Sequence, residues 1–157
     1  MSVLLPVHVG LSLIGIIAGF GVVACLAQGQ LPRTLNVVFL VTTLATSLTG
    51  FLFPIHGFTP ALGLGVISIV DLAIAFYALY GKKLSGSWST TFAITAVAAQ
   101  YFNYFVLIVQ AFQKVEALHM LAPTQKEPPF IAAQVATLGL FVWIAVLAVR
   151  RFGRVES

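Results

Sequence analysis

Five apolar runs, at residues 4–27, 35–53, 61–80, 88–112 and 130–149, divide this chain, with mostly short connections between them. Each is close to the ~20 residues that a helix needs to cross the hydrocarbon core of a bilayer. In lipid a backbone finds no water, so a spanning segment must satisfy its own N–H and C=O groups, as an α-helix does. The runs therefore predict an all-α integral membrane bundle of five transmembrane helices, a single transmembrane domain over residues 1–157. Composition points the same way. With 60% hydrophobic and only 8% charged residues, a soluble globule would expose far more apolar surface than water tolerates.

The formal charge of +4 invites a nucleic-acid reading, but that needs Lys and Arg clustered on a soluble face. Here they sit in connections and near the C-terminus, so the expected partner is membrane lipid and no nucleic acid. Five spans put the termini on opposite sides. Arg33, Lys82, Lys83, Arg150, Arg151 and Arg154 then share one side, and only Lys114 and Lys126 the other. Positive residues stay on the cytoplasmic side, which places the N-terminus outside and the C-terminus in the cytoplasm. Tyr77, Tyr80 and Trp88 join the inner interfacial belt, while His8, His56 and His119 all reach the outer side.

Val22-Val23-Ala24-Cys25 resembles a lipoprotein signal box, but no Lys or Arg precedes the apolar core, so the first run reads as a true span. The single cysteine, Cys25, rules out an intramolecular disulfide, a multi-cysteine metal site and paired-thiol chemistry, and is expected to be a small buried packing residue. His8, Ser12, Gly15 and Gly19 fall on one stripe of the first helix, where the two glycines allow a close neighbour. In the second run Thr42, Thr43, Thr46, Ser47 and Thr49 can bond back to carbonyls one turn earlier. No sequence repeat is visible, and an odd number of spans argues against an inverted-repeat transporter.

Two sets of residues carry candidate chemistry. Imidazoles of His8, His56 and His119, with Glu116 three residues before His119, could bind a transition metal or supply an axial ligand to haem. Equally, these are interfacial histidines satisfied by water and headgroups. A di-iron site is excluded, because it needs two Glu-x-x-His motifs and two further glutamates, whereas the only acids here are Asp71, Glu116, Glu127 and Glu156, with Asp71 at mid-depth and Glu156 on the inner side. The second set is an intramembrane polar layer of Asp71, Gln100 and Asn103. A carboxyl at bilayer mid-depth is costly and raises a functional question, and its neutral form is the expected resting state. It could bond neighbouring helices together or carry protons. The polar face of the fourth run, with Gln110 and Lys114 beyond Asn103, could line a pocket or form an interhelical ladder. No phosphate loop, nucleophile elbow or His-Glu-x-x-His helix occurs, so a freestanding enzyme is not expected.

The segments Ser47-Leu48-Thr49-Gly50-Phe51-Leu52-Phe53-Pro54, Leu121-Ala122-Pro123-Thr124-Gln125 and Glu127-Pro128-Pro129-Phe130 resemble those of small uncharacterised bacterial inner-membrane proteins. The resemblance covers most of the chain. It implies a bacterial source and an inner-membrane location, and carries no activity and no site residue. Three functions follow in order of expectation. The first is an accessory or structural component of a membrane assembly, made with other membrane subunits or by self-association. The second is a small redox protein binding metal or haem through the outer histidines, and the third a proton-linked channel or transporter using Asp71.

Overall fold

The structure is a computed structural model that describes residues 3–53 and 60–153. All regular structure among the described residues is helical. Helix α1 is Leu4–Leu26, α2 Arg33–Gly50, α3 Pro60–Phe76, α4 Trp88–Lys114, α5 Glu116–Leu121 and α6 Pro128–Arg151. Helix α3 runs on into a π-helical turn, Tyr77–Gly81, in which the Lys82 N–H reaches back to the Tyr77 carbonyl.

Among the described residues, four stretches are long and apolar enough to cross a membrane: Leu4–Leu26, Leu62–Gly81, Trp88–Lys114 and Pro128–Arg151. The remaining run, expected at 35–53, differs for a physical reason. Its helix begins at Arg33 and stops at Gly50, so its 18 residues must include Arg33 and Asn36 together with six hydroxyl side chains. The result is more polar than the other long helices and shorter than the four stretches above. The other boundaries move by a few residues, mainly outward, as polar residues such as Arg151 and Lys114 extend the helix ends.

Packing order is legible from named contacts. Along α1 and α2 the pairs run in opposite directions: His8 meets Thr49, Gly15 meets Thr42 and Thr43, and Gly21 meets Leu35. This is an antiparallel hairpin in contact over its whole length. Helices α4 and α6 are antiparallel in the same way, with Phe92 beside Phe152, Tyr101 beside Phe141 and Phe112 beside Phe130. Helix α4 is the hub, touching α1, α3, α5 and α6. The core lies between α1, α2, α3 and α4, around Val22, Leu26, Phe39, Leu40, Leu72 and Phe92. Helices α3 and α6 leave most of their apolar surface uncovered, which suits lipid contact.

Turn chemistry explains the ends. Gly29 takes φ +81 just past α1, where a left-handed residue closes a helix, and the Gln30 N–H caps the Cys25 carbonyl. Pro128 and Pro129 open α6, where their missing N–H groups cost nothing. Glu127 precedes them, and its carboxylate accepts from the Thr124 hydroxyl (2.8 Å) and the N–H groups of Thr124 (3.2 Å) and Lys126 (3.0 Å). Slight desolvation pushes this carboxyl up, but those hydrogen bonds outweigh it and hold it below its ordinary range.

Candidate functional site

Two of the three histidines expected on the outer side, His8 and His119, are placed near helix ends. His8, half-buried in the second turn of α1, has its Nδ1 2.8 Å from the Thr49 hydroxyl near the end of α2. Thr49 has one hydroxyl proton, and it is directed to the Ala45 carbonyl at 2.8 Å. His8 therefore donates from Nδ1, which leaves the lone pair on Nε2. The ring also meets Phe53 edge-on, with centroids 5.2 Å apart. His8 thus closes the end of the α1–α2 hairpin where α1 begins and α2 stops.

His119 sits elsewhere. Helix α4 stops at Lys114, and Val115 turns the chain with extended backbone into the separate short helix α5. Glu116 and His119 share this helix and are both exposed, and His119 Nδ1 lies 3.3 Å from the Phe112 carbonyl. His56 lies outside the described residues. Among the described residues no group of three or more His, Cys, Asp or Glu side chains comes together as a metal-binding set. His8 and His119 each have a protein partner of their own.

Of the three residues expected in one polar layer, Gln100 and Asn103 join helices through their amide N–H groups, while the Gln100 Oε1 stays buried without a partner. Gln100, fully buried on α4, donates from Nε2 to the Ile16 carbonyl of α1 at 2.9 Å. It fits because Gly19 has no side chain: a Cβ there would collide with the Gln100 carboxamide and stand 2.7 Å from Phe39 Cε2. Asn103, one turn further along α4, donates to the Thr43 hydroxyl of α2 at 3.2 Å. Of the other α2 hydroxyls, Thr42, Ser47 and Thr49 each bond a carbonyl four residues earlier, whereas the buried Thr46 hydroxyl has no such partner. Gln100 and Asn103 thus tie α4 to α1 and α2.

Asp71 stands apart from that ladder. It lies on the inner face of α3, along the same stripe as the buried Ser68, Leu72 and Ala75. Its Oδ2 is buried and has no hydrogen-bond partner. A buried carboxyl oxygen left unpaired is a standing energetic cost, which is why it draws notice in the fold.

Three polar residues with a structural part were not singled out in the sequence. Gln134 of α6 donates to the Phe105 carbonyl at 3.3 Å and Gln125 to the Val109 carbonyl at 2.9 Å, so they tie α6 and the connection before it to α4. Asn36 is 1% exposed, and its Oδ1 has no partner. A lone asparagine one turn inside an apolar run was the available signal. Set against known protein families, characterised proteins and solved structures, the chain matches none.

Proposed function

We propose that this chain is an integral protein of the bacterial inner membrane, crossing it five times with the N-terminus outside and the C-terminus in the cytoplasm. Its role is that of a non-enzymatic structural component of a membrane assembly, built with copies of itself or with other membrane subunits. One observation carries this reading. The side chains best suited to mid-membrane chemistry on α4, Gln100 and Asn103, are spent on bonds to α1 and α2, while α3 and α6 present broad apolar faces outward. A rigid inner bundle with open flanks is suited to packing against neighbours.

A crossing by α2 is supported by its partner. It lies antiparallel against α1 from Leu35 to Thr49, and its 18 residues span about 27 Å at 1.5 Å per residue. A helix held along a spanning helix for that distance traverses the same layer. Orientation is supported by charge: Arg33, Lys82, Lys83, Arg150 and Arg151 stand at the end opposite Lys114 and Lys126.

Two measurements test the proposal. In a Cys25→Ala background, single cysteines at Ser85 and Lys126 are labelled in intact cells with a membrane-impermeant maleimide. Lys126→Cys should label and Ser85→Cys should not; the reverse pattern overturns the orientation. In mild detergent, cross-linked and sized protein should run as a multimer or with a stoichiometric membrane partner. A monodisperse monomer with no partner removes the assembly role.

A further inference from the structure

At the basic end of the bundle a cavity of about 590 Å³ opens between the α1–α2 connection, the start of α2 and the end of α3. Two cations, Arg33 and Lys83, line it, and no acidic residue is among the lining residues described. Neighbouring Lys82 is engaged elsewhere: its Nζ lies 5.6 Å from the centre of the Tyr77 ring and 5.7 Å from that of Trp88. Lys83 adopts left-handed backbone at φ +50, followed by Leu84 at φ +59, a conformation that non-glycine residues rarely adopt. Buried Leu84, whose N–H bonds the Ala78 carbonyl, holds this turn and with it Lys83 at the cavity.

The cavity wall also contains Asn36, the buried asparagine whose Oδ1 has no partner. Such an oxygen accepts a hydrogen bond and so asks for a donor. The remaining wall is amphiphilic. Val37, one turn deeper than Arg33, and Tyr80 are exposed on the outside of the bundle, and Leu79 lies beside them. The site thus offers positive charge for an anion, an acceptor for a hydroxyl group, and an apolar lip continuing toward the membrane interior.

We infer that this cavity binds the headgroup of an anionic glycerophospholipid of the phosphatidylglycerol type. Arg33 and Lys83 hold the phosphodiester, a headgroup hydroxyl donates to Asn36 Oδ1, and the acyl chains leave along Val37 and Tyr80. Arginine and lysine pockets between helix ends on the cytoplasmic side suit such lipids, since that leaflet carries the anionic headgroups. A zwitterionic headgroup with an ammonium would meet two like charges here. The inference rests on the membrane reading above and its orientation, but not on the assembly state.

The test uses the full chain, delipidated in a neutral detergent, with added phosphatidylglycerol, phosphatidylcholine or free glycerol phosphate. Native mass spectrometry counts bound lipid, and thermal unfolding reports stabilisation. Phosphatidylglycerol should bind and raise the Tm, with phosphatidylcholine doing neither. Arg33→Gln and Lys83→Gln should each weaken binding about fivefold, the loss expected for one cation near an anionic headgroup. Arg150→Gln, on an exposed arginine outside the cavity, should leave binding unchanged. Asn36→Leu should reduce the preference for phosphatidylglycerol over phosphatidic acid, which has no headgroup glycerol. Equal binding of phosphatidylcholine, or equal losses in Arg150→Gln, overturns the site. Stabilisation by glycerol phosphate to the same extent overturns the lipid assignment in favour of a soluble phosphate ester. Because these readouts come from solubilised protein, their failure leaves the labelling and sizing tests untouched.

Discussion

Gly19→Ala adds one methyl group at the tightest point of the bundle. An ideal Cβ there would overlap the Gln100 carboxamide, with Cδ at 2.5 Å and Phe39 Cε2 at 2.7 Å. Neither neighbour has room to move, since Gln100 and Phe39 are both fully buried and Gln100 is held by the Ile16 carbonyl. Overpacking of this kind costs about 1–3 kcal/mol, and displacing the Gln100 bond adds about 0.6 kcal/mol. Alanine regains about 0.5–1 kcal/mol of helix preference over glycine. The net loss is roughly 1–3 kcal/mol. Gly10 and Gly139 are the controls, because a Cβ at either meets nothing within 4 Å. Their alanine variants should gain about 0.5–1 kcal/mol. Reversible unfolding in mixed micelles on titration with SDS, followed by fluorescence of Trp88 and Trp143, reads all three. Adding Gln100→Ala to Gly19→Ala should recover part of the loss, giving a coupling of about 0.5–3 kcal/mol. If Gly19→Ala is as stable as Gly10→Ala, or the double variant is simply additive, the close approach of α1 and α4 at this point is wrong.

Replacing Asp71 by leucine should stabilise the bundle by about 1–3 kcal/mol in the same assay, because it removes a buried oxygen with no partner; a destabilised Asp71→Leu would mean that the carboxyl is a bonded anchor. Proton flux into liposomes should be unchanged by Asp71→Asn, and a loss of flux would establish the transport alternative. Glu127 is held below its ordinary range by the bonds from Thr124 and Lys126 that outweigh its desolvation, so its bracing of this turn is present at neutral pH and lost as pH falls through that lowered value. Hydrogen exchange at the Thr124 and Lys126 amides should speed up only in acid, and Glu127→Gln should abolish that pH dependence. Purified protein should show no haem absorption and no stoichiometric transition metal; a metal present at one per chain and lost in both His8→Ala and His119→Ala would restore the outer-face metal site.

How much of this was legible in the sequence depends on which residues made the argument. Long apolar runs identified every long helix, because lipid imposes helix on any run of that length. The stripe of Gly15 and Gly19 was visible too, and both glycines are points of close approach, to Thr42 and Thr43 and to Gln100. What could not be read was the partner of each polar group. Gln100 and Asn103 were grouped with Asp71 by depth alone, yet depth does not say which side of a helix faces which neighbour. Gln100 meets α1 and Asn103 meets α2, because the face of α4 that carries them is turned toward that hairpin. Likewise, Glu116 and His119 do share a short helix, but the break at Val115 separates it from α4, and a single extended residue leaves little trace in a hydropathy pattern.

Asn36 makes the same point at the other end of the bundle. In sequence it is one polar residue in an apolar run, of the kind that a membrane helix tolerates when a neighbour bonds it. In the fold it lines a cavity with two cations, Arg33 from the start of the same helix and Lys83 from the turn after α3. The features that lower the hydropathy of α2, Arg33 and Asn36, are thus the ones that give the cavity its charge and its acceptor. If the lipid test succeeds, the polarity of this helix reflects a binding requirement at its Arg33 end. If it fails, α2 keeps its full-length packing on α1, and Asn36 remains a buried cost with no return. The lipid test therefore bears on what makes α2 polar and leaves its packing on α1 as a separate matter.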